Sequence, residues 1–342
     1  MMNKTLFAAA MLCTQLSQIC CAQQKTEVKG HFDSFTADSV MVIYMGDTPR
    51  ESHNVTLPAK GGDFVWTPAV DKATIAYIAA KPQQGERFGA NGAAQVVVIP
   101  GETVTVSGTP LEETVSSPFN TALNAFMKPL EGKSDDEVAQ AAADYIKANP
   151  SSLVSAYLVN CLVSDIDKTV EMIDAGVRNG VMSKLLDIFT AQAKQEAQRR
   201  EASKNVQNGM PAPDFTLMDI NGKELSLSSL RGKYVVLDFW GSWCIWCIRG
   251  IPKMKEYYAK YQDKMQILGI DCNDTEEKWR AAVKEHDIPW LHVYNPKSSE
   301  LTKTYAIQGY PTKIVIDPKG NIVKTVVGED PKFYDYLDGL FR

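Results

Sequence analysis

Side chains that bind metals or carry redox chemistry are sparse in this chain, with four histidines and seven cysteines among 342 residues. Outside one Cys-x-x-Cys pair, neither cysteines nor histidines offer the second ligand pair that a zinc site requires. No strong excess of one charge is present: a formal net charge of −5 argues against an electrostatic grip on nucleic acid. A nicotinamide or flavin fingerprint is also missing, so no bound cofactor is expected. After the first residues, no segment offers about 18 uninterrupted apolar residues, which excludes a later membrane-spanning helix. The expectation is a soluble mature chain. Disorder is excluded as well, because 44% of residues are hydrophobic and 23% charged. A chain of this length suggests two or three domains.

The N-terminus reads differently from the rest. Lys4 gives a positive start, Leu6 to Leu12 an apolar stretch, and Cys20-Cys21-Ala22 a small-residue end. That pattern is a secretory signal, 1–22, cut after Ala22, and it implies an exported, periplasmic protein. Lipid anchoring at Cys20 or Cys21 is the lesser alternative, since Ile19 precedes Cys20 and Gln18 lies three before Cys21. Cleavage would remove Cys13, Cys20 and Cys21, leaving Cys161, Cys244, Cys247 and Cys272. One close pair and two isolated cysteines do not make a disulfide scaffold. Chemistry at the pair is the better reading.

Residues 23–110 read as a small antiparallel β domain, sandwich-like or barrel-like. Val40–Tyr44, Ile75–Ala79 and Gln95–Ile99 are short apolar runs separated by glycine-rich turns, and Pro100-Gly101 returns the chain as a hairpin. The pattern changes near Pro118, and 111–208 reads as four or five helices. Ser134-Asp-Asp-Glu137 has the form of a capping box. Nothing in this segment carries recognisable chemistry, and packing or spacing is its expected role. From Gly209 a third pattern begins. Tyr234–Trp240 is a near-continuous apolar run typical of a strand buried on both faces. A helix is expected from Cys244, a strand over 266–271, a helix over 275–287 and a strand over 290–294. A hairpin of 312–317 with 322–327 and a last helix over 332–341 complete an α/β domain, 209–342, with a mixed sheet flanked by helices.

Trp243-Cys244-Ile245-Trp246-Cys247 falls where the buried strand ends and a helix starts. Cysteines three apart at a helix start share a face and can bridge. The first faces unpaired backbone N–H groups and the positive end of the helix dipole, both of which favour thiolate. Cys244 is the expected nucleophile and Cys247 the resolving thiol. Half a zinc site and an inert structural disulfide are the competing readings. Haem attachment would need a histidine where Ile248 stands.

With Ala212-Pro-Asp-Phe-Thr-Leu217, Asn221-Gly-Lys223, Leu230-Arg-Gly-Lys233, Leu237–Cys247, Gly309-Tyr-Pro-Thr312 and Ile316–Asn321, the region from Gly209 onward resembles the TlpA/ResA-like branch of the thioredoxin superfamily. The preceding regions resemble the N-terminal parts of exported multidomain relatives. The resemblance implies a thiol–disulfide oxidoreductase. It makes Pro311 a cis-proline beside the redox pair, leaving the Tyr310 backbone free for an extended substrate strand. It makes Asp238 a buried acid that takes the proton of the resolving thiol, and Pro252 the kinking proline of the active-site helix. A turn proline and a solvated strand-end carboxylate are the plainer readings of Pro311 and Asp238. Trp243 and Trp246 are candidate substrate contacts, with packing the first role of Trp240 and Trp243. Buried, unreactive thiols are expected at Cys272 and at Cys161, the latter on an apolar helix face.

Three departures sharpen the expectation. Ile245-Trp246 supplies no donor or charge to the thiolate, so the couple should lean reducing, nearer thioredoxin's roughly −270 mV than DsbA's roughly −120 mV. Gly250 replaces the glutamate that many relatives carry before the helix proline. Gly241 stands where a peroxiredoxin needs Thr or Ser, which argues against peroxidase chemistry. The expected activity is reduction of disulfides in other exported proteins. It needs a thiol electron-donor protein, which a membrane-embedded relay would provide. Disulfide oxidation or isomerisation, and redox-sensing by a partner-binding protein, are the alternatives.

Overall fold

Alternating apolar and polar residues build the first strands, and only the apolar members are buried. In β1 (Glu27–Phe32) the fully buried side chains are Val28 and Phe32. The computed structural model describes residues 25–46, 48, 51–297 and 299–342. The expected export signal, 1–22, and Cys13, Cys20 and Cys21 lie outside the described residues. The chain divides into two compact units, one ending at Lys194 and the other beginning at Gln195.

The first unit contains β1, β2 (Ser39–Met45), β3 (Ser52–Pro58), β4 (Asp63–Trp66), β5 (Thr74–Ala80), β6 (Ala94–Val98), β7 (Thr103–Gly108) and β8 (Glu113–Ser116). They form two four-stranded sheets, ordered β4-β1-β7-β8 and β3-β2-β5-β6. Val28, Phe64, Trp66, Val104 and Val106 from one sheet share a core with Val40, Val42, Ile78, Val96 and Val98 from the other. This is a β-sandwich. One pair departs from the antiparallel expectation: β1 and β7 run parallel. Parallel neighbours cannot be joined by a hairpin, and the whole second sheet lies between them in sequence.

Helices follow: α1 (Pro118–Met127), α2 (Asp135–Ala148), α3 (Leu153–Leu158), α4 (Ile166–Met172), α5 (Ala175–Arg178) and α6 (Ser183–Ser203). The capping box is present, with Ser134 and Glu137 each accepting the other's backbone N–H. There are more helices than the four or five expected. Ser117 caps α1, with Pro118 at its first position, and extended Ile173 separates α4 from α5. Asn120 of α1 pairs through its side-chain amide with both backbone groups of Val97 on the edge strand β6, at 3.2 and 2.8 Å. That amide covers part of an exposed sheet edge.

The second unit opens with a hairpin, β9 (Thr216–Met218) and β10 (Glu224–Ser226), around Asn221-Gly222. Its main sheet contains β11 (Tyr234–Trp240), β12 (Met265–Asp271), β13 (Leu291–Val293), β14 (Thr312–Ile316) and β15 (Ile322–Val327), in the order β13-β12-β11-β14-β15. β11, β12 and β13 are parallel, while β14 and β15 are antiparallel. The helices are α7 (Ile245–Tyr261), α8 (Glu276–Glu285), α9 (Leu301–Thr304) and α10 (Lys332–Phe341). This is the thioredoxin-like arrangement.

Central β11 sends its residues alternately into two cores. Val235, Leu237 and Phe239 pack with Leu268, Ile270, Ile314 and Ile316. Val236 and Trp240 pack on the other face with Ile251 and Met254 of α7 and Phe333, Leu337 and Phe341 of α10. Full burial of such side chains is worth about 1.5–3 kcal/mol each. By the two-residue period Asp238 belongs to the α7 face, among apolar neighbours. That placement sets its chemistry.

Candidate active site

β11 ends at Trp240 and α7 begins at Ile245, so Gly241–Cys244 must turn the chain from a buried strand into a helix. Asp274 holds this turn: its carboxylate accepts from the Ser242 N–H at 2.6 Å and the Ser242 hydroxyl at 2.7 Å. The Trp243 indole folds back and donates to the Cys272 carbonyl at 2.9 Å. A Cβ on Gly241 would lie 2.5 Å from the Trp243 Nε1 and 2.8 Å from that carbonyl oxygen. Glycine is required there by the indole, which occupies the space a side chain would need.

Cys244 is the N-cap of α7, and its Sγ accepts the backbone N–H of Cys247 at 3.1 Å. Cys244 and Cys247 are joined by a disulfide, with Cα atoms 5.2 Å apart. Both are nearly buried, at 5% and 6% exposure, whereas Trp243, Ile245 and Trp246 are 52%, 58% and 57% exposed. The two sulfurs therefore lie under an apolar, largely aromatic rim open to solvent. Arg249 stands over the Trp246 ring at 5.0 Å from its centroid, a cation–π contact that steadies the outer part of the rim.

Tyr310 flanks the other side. Its ring meets the Trp243 ring edge-on at 5.3 Å, and its hydroxyl accepts from Asn273 at 3.4 Å. The Tyr310–Pro311 peptide bond is cis. Among the described residues, no backbone–backbone hydrogen bond engages the N–H or C=O of Tyr310. The structure thus brings Cys244, Cys247, Trp243, Tyr310 and Pro311 to one edge of the sheet. Trp246 lies on the outer rim.

Asp238 lies on the same face of the sheet as the two cysteines. It is buried, and its Oδ1 has no hydrogen-bond partner among the described residues. Desolvation holds its carboxyl above the usual carboxylate range, opposed by the nearby Lys313 charge and reinforced by Glu329. Burial with little solvation is the environment a proton acceptor of raised affinity needs.

Several residues near this edge escaped the reading of the sequence. Asp271, at the end of β12, is fully buried, and desolvation, with Asp274 adding to it, pushes its carboxyl up to about 8. His292 lies between the rings of Trp240 and Trp290 at 5.8 and 6.1 Å, and burial lowers it to about 3. Acids at the carboxyl end of a parallel strand are a signal that could have drawn attention to Asp271 and Asp274. Lys313 and Glu329 had no such signal. Cys272 is the buried thiol expected, pushed up to about 12 mainly by desolvation. Cys161 departs from the expectation: it ends a 3-10 turn and is partly exposed, with its Sγ on the Asn160 side-chain oxygen at 3.0 Å. The turn breaks the helix before that position, which removes the apolar face.

The second unit has recognisable relatives among known proteins. Residues 208–325 match the AhpC/TSA family. The chain is 36% identical over 138 residues to a thiol-disulfide oxidoreductase ResA of Bacillus cereus, a match spanning 40% of this chain and 78% of that protein. ResA of Bacillus subtilis is 29% identical over 137 residues, spanning 39% and 76%. Among solved structures, the thioredoxin domain of a thiol-disulfide oxidoreductase from Bacteroides vulgatus is 31% identical, with a TM-score of 0.38, and covers 40% of this chain and 99% of its own.

Proposed function

The chain belongs to the ResA family of thiol–disulfide oxidoreductases, and from that premise we propose that it is exported and reduces disulfides of other extracytoplasmic proteins. Cys244 at the N-terminus of α7, its Sγ held by the Cys247 N–H, carries the thiol–disulfide exchange in this reading, and the exposed, apolar Ile245-Trp246 pair, which adds no donor or charge to the thiolate, supports the reducing direction. In the reduced chain the same donor and the helix dipole favour thiolate at Cys244.

The reaction then follows from the positions of the groups. The Cys244 thiolate attacks one sulfur of a substrate disulfide, and the other substrate sulfur leaves as thiolate. Tyr310 offers its backbone to an extended substrate segment beside the bond, while Trp243 and Trp246 give that segment apolar surface. Cys247 passes its proton to Asp238 and attacks the Cys244 sulfur. The mixed disulfide breaks, the second substrate sulfur leaves, and a Cys244–Cys247 disulfide remains. Two electrons have moved from this chain to the substrate. Pro311 keeps the Tyr310 edge free, since it has no N–H to compete with the substrate.

Restoring the dithiol requires an outside thiol donor, for which a membrane-embedded relay is the proposed partner. No bound cofactor takes part in this scheme. Residues 1–22 act as the export signal, and periplasmic release is proposed. No helix among the described residues is long and apolar enough to cross a membrane. In this proposal, the regions 23–110 and 111–208 do no redox chemistry.

Equilibration of the full mature chain with thiol buffers of known potential tests the direction. Reduction is supported by a midpoint below about −200 mV, and a value well above it would assign the chain to disulfide oxidation instead.

A further inference from the structure

Gly250 lies three residues beyond Cys247, on the same face of α7. A Cβ at Gly250 would come within 2.5 Å of the Glu329 Oε2 and 2.8 Å of its carboxyl carbon. The Glu329 side chain, from the connection between β15 and α10, therefore occupies the space beside α7 that a larger residue would fill. Its Oε2 is 2.7 Å from the Lys313 Nζ, and its Oε1 accepts the Tyr334 hydroxyl at 2.6 Å. Lys313 is only 3% exposed. It stands directly opposite Asp238 in the antiparallel pairing of β11 with β14, so both side chains project from the same face.

We infer that Lys313 and Glu329 form a positioning ion pair that sets the charge state of Asp238, and through it the ease with which Cys247 gives up its proton. The inference rests on Asp238 being the proton acceptor proposed above. A buried carboxyl with an unpaired oxygen responds strongly to nearby charge, because little solvent screens it. Lys313 alone would hold Asp238 ionised and make it a poor acceptor. Glu329 neutralises that influence while leaving the lysine in place. Gly250 is part of the device, since it alone leaves room for the Glu329 carboxylate against the helix that carries Cys247.

The groups facing Asp238 come from several elements, and they bear on its charge in different ways. β14 contributes Lys313 and the β15–α10 connection Glu329. α10 contributes the Tyr334 phenol, and α7 the Cys247 thiol once reduced. Burial keeps the Tyr334 phenol protonated through the neutral range. The two full charges are those of Lys313 and Glu329, which is why substitution of one should act oppositely to substitution of the other.

The test uses the full reduced chain with carboxyl-labelled aspartate, following the Asp238 resonance against pH, alongside the rate at which Cys247 resolves a thionitrobenzoate mixed disulfide on Cys244. Glu329→Gln exposes Asp238 to an uncompensated cation, and its titration midpoint should fall by about one pH unit. Lys313→Met leaves the anion uncompensated, and the midpoint should rise by a similar amount. The pH limb of the resolution rate should move with the carboxyl in each variant. A merely structural ion pair would lower stability in both without opposite shifts. Midpoints that stay fixed, or move the same way in both folded variants, would overturn the inference. Asp238→Asn separates the two claims. Survival of the pH limb in that variant would overturn Asp238 as the acceptor, while the carboxyl titrations of the other two variants would still decide whether the ion pair governs it.

Discussion

The two units handle polar groups in opposite ways. Among the described residues, every buried side-chain polar atom without a hydrogen-bond partner lies in the second unit, on Asp238, Trp240, Asp271, Trp279, Trp290, His292 and Asn295. The described residues of the first unit have none, and its buried Asn120 is fully engaged by Val97 and Ser117. Each unsatisfied group costs about 1–3 kcal/mol. A fold tolerates that cost where the group has work to do, as proposed for Asp238. A similar contrast recurs inside the second unit. One face of β11 is wholly apolar, while the face toward α7 carries Asp238.

The comparison can be broken or sharpened by substitution, the largest effect coming from the proposed nucleophile. Cys244→Ser should lower disulfide exchange by about a thousandfold or more, measured by reduction of a model disulfide. In the sandwich, Ile78→Ala should cost about 2–5 kcal/mol of that unit's stability in denaturant unfolding while leaving exchange at Cys244 unchanged. A parallel loss of exchange would show that the units are not chemically independent.

Asp238→Asn should slow resolution of the mixed disulfide by about a hundredfold. It should also remove a stability trend. Because the folded-state value of Asp238 is raised, the folded chain binds more protons than the unfolded one between the usual carboxylate range and that raised value. Stability therefore falls as pH rises through that window, and the variant should gain on the parent with increasing pH. The last, His292→Phe, acts only below neutral pH. The folded value of His292 is about 3 against 6.5, so its contribution is complete above about 6.5 and is lost as pH falls toward 3. The slope is at most about 1.4 kcal/mol per pH unit, and the variant should flatten it.

Much of the second unit could be read from the sequence because its signals are local. The apolar run 234–240 marks a strand of those bounds, and Cys244 and Cys247 sit at the helix start that follows. Pro311 and Asp238 came from resemblance to a family rather than from their own surroundings. Lys313 and Glu329 stayed hidden because their partners are brought together only by sheet pairing and by the packing of α10 on α7. Gly250 was visible as an absence, and the Glu329 carboxylate that fills its space could not be seen without the fold. In the first unit, the capping box at Ser134 was legible for the same local reason, while the parallel pairing of β1 with β7 was not.

Capture of substrates by the resolving-cysteine variant tests the central assignment most directly. Full-length Cys247→Ser, expressed in cells and quenched with acid, should accumulate mixed disulfides through Cys244 with exported proteins, and Cys244→Ser should accumulate none. Equal capture by both variants, or by neither, would contradict the division of attack and resolution between Cys244 and Cys247.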